Sequence, residues 1–214
     1  RHGGTGALAV QYIHAGSGGW RPFVEAGGWR TPNAALTFSR SYANGAGTAT
    51  ATAETKADLS YLYARAGILI AASRADQWAV SGEIGRQRSA LDGYAEAFSA
   101  ANPFEARVDA GTDRMDLAKL RLQWSHGFSR SVDSSLWVVG VRGFDRESDL
   151  TAMVTGIGQP SASEQAAPSW IEAGGRIGYK LTDAVTLDTS ATVVSGRDGV
   201  ASRVHSGLGL RFQF

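Results

Sequence analysis

The feature that most constrains this chain is a hydrophobic pattern with a period of two residues, which recurs along most of its length. Successive side chains of a β-strand point to opposite faces, so this pattern gives a strand one apolar and one polar face. Between residues 171 and 181, one face carries Ile171, Ala173, Gly175, Ile177, Tyr179 and Leu181, and the other carries Glu172, Gly174, Arg176, Gly178 and Lys180. The pattern predicts an all-β, antiparallel chain.

The alternation predicts about nine strands, bounded by turn-forming residues. They cover residues 5–15, 20–31 (with 32–43 as an optional extension), 57–72, 77–90, 113–128, 135–148, 169–181, 185–195 and 201–214. Within 137–142, the pattern assigns Trp137, Val139 and Val141 to the apolar face and Arg142 to the polar face.

The connections between these strands alternate in length. Residues 16–19, 73–77, 129–134 and 182–184 are short turns, whereas 32–57, 91–112 and 150–168 are long and rich in small and polar residues. Within the first long connection, the Thr-rich stretch 47–58 is predicted to be an arm of a protruding hairpin outside the membrane.

Two architectures give such a pattern. A soluble antiparallel sandwich buries the apolar face, whereas a transmembrane barrel turns the apolar face to lipid and the polar face to its lumen. The predicted strands are long enough for the ~9–11 residues that a tilted spanning strand needs, and alternating short turns and long loops are typical of outer-membrane barrels. Aromatic residues beside the short turns predict an interfacial girdle of Trp20, Trp78, Trp124, Phe128, Trp137 and Tyr179. The sequence therefore favours the membrane barrel.

The polar face gives the candidate functional surface. Cations mixed with Gly and Ser suit a hydrated lumen in which charges pair across the barrel. The predicted lumen-lining residues are Glu25, Arg65, Glu83, Lys119, Arg121, Arg142, Glu172, Arg176, Lys180, Asp188, Arg203, His205 and Arg211. Basic groups outnumber acidic ones in this set, so an open pore would favour anions; the alternative is a closed lumen in which these residues only pair.

Composition excludes several classes of function. The 214 residues contain 21 Lys and Arg against 20 Asp and Glu, and this balance does not support nucleic-acid binding. The absence of cysteine excludes disulfides, thiol catalysis and thiolate metal sites. The four histidines form neither an HExxH motif nor a close metal-type cluster, and there is no GxSxG. We predict no enzymatic activity, no metal and no cofactor, and interpret His205 as part of a pore-lining polar network.

The C-terminus ends on its most apolar alternation, SGLGLRFQF, with Leu208, Leu210, Phe212 and Phe214 on one face. This ending resembles the C-terminal assembly signal of Gram-negative outer-membrane proteins. More specifically, 20–34, 38–47, 63–73, 81–96, 111–124 and 207–214 resemble the β-domain of autotransporters, the translocator unit of type V secretion.

The resemblance implies a translocator or anchor for an exported passenger in the bacterial outer membrane. The implied partners are outer-membrane lipid, the barrel assembly machinery that reads the C-terminal signal, and the passenger or other surface proteins. The long loops and 196–199 would be extracellular, and the short turns and Phe214 periplasmic. The alternatives are a diffusive pore or a structural barrel in a surface complex.

Nine is an odd number of strands, whereas bacterial single-chain barrels have an even number. An open sheet edge in lipid also leaves unpaired backbone groups, each costing several kcal/mol. We therefore expect one barrel domain over 1–214 that lacks N-terminal strands, giving ten to twelve strands in all, with twelve implied by the resemblance. The alternative is an additional hairpin within 32–57.

Overall fold

The computed structural model describes residues 4–15, 19–43, 45, 47–159, 168–196 and 202–212. These residues form twelve strands: β1 (Gly6–Ile13), β2 (Trp20–Ala43), β3 (Thr48–Ala71), β4 (Asp76–Leu91), β5 (Tyr94–Ala95), β6 (Ala106–Val108), β7 (Gly111–Gly127), β8 (Val132–Ser148), β9 (Ala152–Val154), β10 (Ser169–Lys180), β11 (Val185–Gly196) and β12 (Arg203–Phe212). The described residues contain no helix long and apolar enough to cross a membrane.

Nine strands form one large antiparallel sheet in the order β1-β2-β3-β4-β7-β8-β10-β11-β12, which curls into a half-barrel. These are the nine strands predicted from the alternation, so the all-β, barrel-like fold is confirmed. Within the described residues, β1 and β12 are the two edges of the sheet and do not pair with each other. The predicted turn at 16–19 and the segment 196–199 lie largely outside the described residues.

The interpretation of 32–57 as a long connection is wrong, because β2 continues to Ala43 and β3 begins at Thr48. The optional extension of the second strand and the hairpin arm at 47–58 are confirmed as strands. They lengthen β2 and β3 and add no hairpin to the sheet, so the proposed alternative of an additional hairpin in this region is also wrong. The other two long connections contain β5, β6 and β9, which form a separate three-stranded sheet.

The two faces of the large sheet differ in polarity and burial. On one face, Leu62, Ile84 and Leu120 are 65–69% exposed, and the register places them with other apolar side chains. On the other face, Glu83 and Ser81 are buried. The curled sheet therefore encloses its polar face and exposes its apolar face, the reverse of a soluble sandwich.

The predicted orientation of 137–142 is wrong. Val139 and Val141 are buried on the concave face, where they cluster with Tyr61 and Leu117, and Trp137 packs against this cluster. Leu136 and Val138 lie on the outer face of this strand, and Val139 and Val141 lie on its concave face, so both faces are apolar here. A period-two pattern cannot orient such a strand.

The paired ends of β2 and β3, residues 34–43 and 48–57, form a ribbon beyond the rest of the sheet that we call the hairpin extension. It begins at a bulge between Thr31 and Ala34. At this bulge Asn33 has a φ of 53°, and its backbone N–H donates a hydrogen bond to Asp58 Oδ1 at 2.9 Å. Ala49, Ala51 and Ala53 are buried on its inner face.

Residues 94–106, the docked segment, pack on this inner face. The ring of Tyr94 stacks on Phe38 with centroids 4.9 Å apart. Arg40 binds Glu96 with both Nε and Nη2, at 3.0 and 2.6 Å. Tyr42 donates to Asn102 Oδ1 at 2.6 Å. The small alanines leave room for the segment to approach.

Candidate functional site: the polar interior

Glu83 is the centre of a charged network on the concave face. Its Oε1 accepts from Tyr61 at 2.6 Å and lies 3.0 Å from Lys119 Nζ, and its Oε2 accepts from Arg65 Nε and Nη2 at 2.8 and 2.6 Å. The Glu83 side chain is only 6% exposed. Four charge-assisted contacts from the two flanking strands, β3 and β7, therefore fix this carboxylate on the wall.

Glu25 extends the network to the edge of the sheet. Its Oε1 accepts from Tyr63 at 2.7 Å and lies 3.3 Å from Arg65 Nη1, and its Oε2 accepts from Gln11 at 3.0 Å. Arg65 thus joins the carboxylates of two flanking strands. The register places these side chains on one cross-strand line, because directly opposed residues share a face.

Arg121 lies beside this network in a different environment. Its guanidinium lies 5.3 Å from the centroid of the Trp137 ring. Its Nε is buried and has no hydrogen-bond partner among the described residues. The nearby carboxylate of Glu172 does not bond Arg121 and accepts a hydrogen bond from Trp170 Nε1 at 2.8 Å. A cavity of about 60 Å³ separates Arg121 and Glu172 from Glu83, which is room for water to join these groups.

A second cluster lies nearer the short turns. Arg176 bonds the carboxylates of Asp133 and Asp188. Arg211 approaches the same two carboxylates, with Nη2 3.4 Å from Asp133 Oδ2 and Nε 3.2 Å from Asp188 Oδ2. Two cations and two anions from four strands therefore neutralise each other on the concave face.

The remaining predicted residues separate into three groups. The first group lies on the concave face. The register aligns Lys180 with Arg211 and Arg203 with Glu172, and it places His205 in the same cross-strand row as Trp137. Arg142 does not lie on this face: it is opposite Ala118 on the exposed apolar face, so its prediction as lumen-lining is wrong. Leu208, Leu210 and Phe212 are 56–81% exposed on β12, and Phe214 lies outside the described residues.

The predicted lumen-lining set lacks Tyr61, Tyr63 and Asp133, although the alternation within 62–70 places Tyr63 on the polar face with Arg65. Both tyrosines lie on the same face of β3 as Arg65, because they precede it by two and four residues. Following the alternation back from Arg65 would therefore have identified both. Asp133 was assigned to a turn, whereas β8 begins at Val132. Adding Asp133 and removing Arg142 reduces the excess of cations that favoured anion passage.

The pairs of the central network join neighbouring strands along the wall, rather than crossing the lumen as expected. They neutralise much of the charge on the concave face of the described strands. Trp20, Trp78 and Trp124 lie in one cross-strand row on the apolar face at the short-turn end, joined through Ile70. Trp137 belongs to the interior, so its place in the predicted girdle is wrong.

The described residues hold no group of three or more His, Asp or Glu arranged to bind a metal ion. No protein-family model matches the sequence, and no curated protein matches it significantly.

Proposed function

We propose that this chain is the membrane-embedded β-domain of an outer-membrane protein, and that it anchors or translocates an exported passenger. The observation that carries the proposal is the reversed polarity of the curled sheet. Ile84 and Leu120 are about two-thirds exposed, whereas their neighbours Glu83 and Lys119 are enclosed and paired. In water, the exposed apolar face would contribute no free energy of hydrophobic burial to folding. In a membrane, the apolar face contacts lipid and the polar face lines the interior, so both faces have favourable surroundings.

The dimensions of the exposed apolar band support the same proposal. On β4, Trp78 marks the short-turn end and Arg88 the opposite end of this band. The ten-residue separation corresponds to about 33 Å of strand, or roughly 25 Å along the normal for the usual tilt of a membrane barrel. This matches the height of an outer-membrane apolar band.

The translocator role comes from the resemblance to autotransporter β-domains, and the interior is compatible with it. Charges paired along the wall give a polar but nearly neutral lining, which suits the passage of an unfolded chain of arbitrary sequence. A diffusive pore is the second candidate. An anion-selective pore is less well supported, because Arg65, Lys119, Arg176 and Arg211 all have carboxylate partners.

The first test is folding of the complete natural protein, with any upstream strands included, into phosphatidylcholine liposomes, measured by heat-modifiable mobility in gel electrophoresis. We expect a compact, protease-resistant species that forms only with lipid. Stable open channels of the complete natural protein in planar bilayers would support the diffusive pore against the translocator. A chain that folds to a monodisperse species in buffer without lipid or detergent would contradict the membrane proposal.

Orientation follows from the same proposal and has its own test. The strands β1 and β12 run in the same direction, since seven strands separate them in an antiparallel sheet. We propose that the short turns are periplasmic, and that upstream strands, odd in number, lie between β1 and β12 in the closed barrel. Protease added to intact cells should cut within 91–112 or 150–168; cuts confined to 73–77 or 129–134 would reverse the orientation.

A further inference from the structure

Four arginines gather on the exposed face of the sheet at the end of the apolar band remote from the short turns. They are Arg30, Arg86, Arg88 and Arg114, and all are exposed. We call them the arginine row. They come from β2, β4 and β7, so only the register of the sheet brings them together.

The register fixes their arrangement. Arg88 lies directly opposite Arg114 on one side and Ser60 on the other, and Ser60 lies opposite Arg30. Arg86 lies opposite Leu62, one step toward the apolar band. Alternation places all of these side chains on the face that carries Ile84 and Leu120. The row therefore forms the border of the lipid-exposed surface.

Two members of the row have carboxylate partners. Arg86 holds both oxygens of Asp116, at 2.6 and 2.7 Å. Arg30 binds Asp58 Oδ2 at 2.7 Å, and the other oxygen of Asp58 accepts from Asn33 N–H. Neither acid forms a hydrogen bond or ion pair with Arg88 or Arg114 within the described residues, although the charge of Arg88 acts on Asp58 through space.

Arg88 and Arg114 have no hydrogen bond or ion pair within the described part of the chain, although Glu147 lies opposite Arg114 in the register. Directly opposed like charges destabilise an antiparallel pair. Their Cα atoms are about 5 Å apart, a spacing at which two guanidinium groups can bind one phosphate together. A phosphate group that accepts hydrogen bonds from both guanidinium groups would place a negative charge between them and offset their mutual repulsion.

We infer that the arginine row binds the phosphate group of a lipid in the outer leaflet, with Arg88 and Arg114 as its principal contacts. The inference rests on the proposed membrane location and adds a specific lipid site to it. The lipid source follows from the neighbours of the row: Leu62 is 69% exposed and Phe144 is 43% exposed on the same face, and they offer acyl chains a surface directly beneath the phosphate.

The experiment uses the complete natural protein, with any upstream strands included, refolded in detergent micelles and titrated with diphosphoryl lipid A; native mass spectrometry measures the bound fraction. The comparison ligands are lipid A without phosphates and inorganic phosphate alone. We expect diphosphoryl lipid A to bind, its dephosphorylated form to bind at least tenfold more weakly, and added salt to weaken the phosphorylated complex.

The variant is R88Q/R114Q, and its matched control is R74Q/R130Q, which removes two exposed arginines from the short turns at the opposite end. Each lost guanidinium–phosphate contact should weaken binding by about tenfold. We therefore expect about a hundredfold loss in R88Q/R114Q and less than a threefold change in the control.

The outcomes separate this inference from the proposed function. Folding into phosphatidylcholine liposomes with equal lipid A binding by R88Q/R114Q and the control overturns the lipid site alone. Competition by inorganic phosphate as strong as by lipid A overturns the assignment to a lipid. Failure of the complete natural protein to fold into liposomes overturns the membrane location, and the lipid site with it.

Discussion

Strand β3 passes through two regions that distribute polarity in opposite ways. In its second half, the concave face carries Tyr61, Tyr63 and Arg65, and the outer face carries Ala64, Ala66, Ile68 and Ile70. In its first half, within the hairpin extension, the inner face carries buried alanines and the outer face carries Thr50, Thr52 and Glu54. One continuous strand thus exchanges its apolar and polar faces.

This exchange indicates a change of surroundings along the strand. A side chain facing lipid must be apolar, whereas one facing water beside a packed layer is polar. The reversal occurs between Ala57 and Tyr61, next to the bulge that separates the hairpin extension from the wall. We therefore propose that the extracellular surface of the membrane crosses β3 at this point. Four predictions test the contrast between the wall and the hairpin extension.

The largest effect should come from F214S, which removes the terminal aromatic of the proposed assembly signal. We expect the variant to accumulate in the periplasm with no heat-modifiable barrel in the membrane fraction. The control is F98S, in the docked segment, where the side chain is 70% exposed; it should assemble normally. Normal levels of folded barrel in F214S would count against the signal.

The next largest effect should come from I84R, which places a cation in the middle of the exposed apolar band. The free energy of unfolding in liposomes, measured by urea titration, should fall by about 2–4 kcal/mol. T52R makes a comparable change on the outer face of the hairpin extension, where the side chain is also exposed. It should change stability by less than about 0.5 kcal/mol. Equal effects at the two sites would show that both outer faces meet water.

A smaller loss should follow from E83Q. The amide keeps the shape of Glu83 but removes the charge that holds Arg65 and Lys119. Breaking a fully buried pair costs about 3–5 kcal/mol, and because Arg65 and Lys119 are 22–23% exposed we expect about 2 kcal/mol. E54Q, on the exposed face of the hairpin extension, is the matched control and should be neutral. A neutral E83Q would show that the interior is as hydrated as the surface.

The same contrast explains what the sequence could predict. Nine strand positions agree with the structure, because most strands of the wall have one apolar and one polar face and their period is visible. The orientation of β8 was wrong because Val139 and Val141 face Tyr61 and Leu117 in a local hydrophobic cluster. Arg142 was consequently assigned to the wrong face. A side chain's face depends on its neighbours across the sheet, which the period of one strand does not contain.

The hairpin extension was harder to predict for a different reason. Its inner face is built from alanines, whose small side chains give a weak alternation even though they are buried. Their burial depends on the docked segment, which is about fifty residues away in sequence. The partners of Arg40 and Tyr42 in that segment, Glu96 and Asn102, follow from a tertiary contact and have no local signal.

The smallest expected effect is a local, acid-induced release of the docked segment from the hairpin extension. The hydrogen bonds from Arg40, supported by the N–H of Ala106, hold the pKa of Glu96 below its ordinary value despite burial. A carboxyl whose pKa is lowered on folding stabilises the folded state above its unfolded pKa. This stabilisation is lost as the pH falls from about 4.5 through the lowered pKa of the folded state.

Hydrogen exchange of the Ala106 amide, which donates to Glu96 Oε2 at 2.9 Å, measures this release. After correction for the intrinsic pH dependence of exchange, its protection should fall below pH 4.5. Amides of the wall, such as that of Ile84, should remain protected, because their ladder bonds carry no titratable partner. E96Q should have low protection at Ala106 already at pH 7 and little further change in acid. Equal acid sensitivity of the Ala106 amide in E96Q and wild type would show that another group, and not the Arg40–Glu96 pair, holds the segment in place.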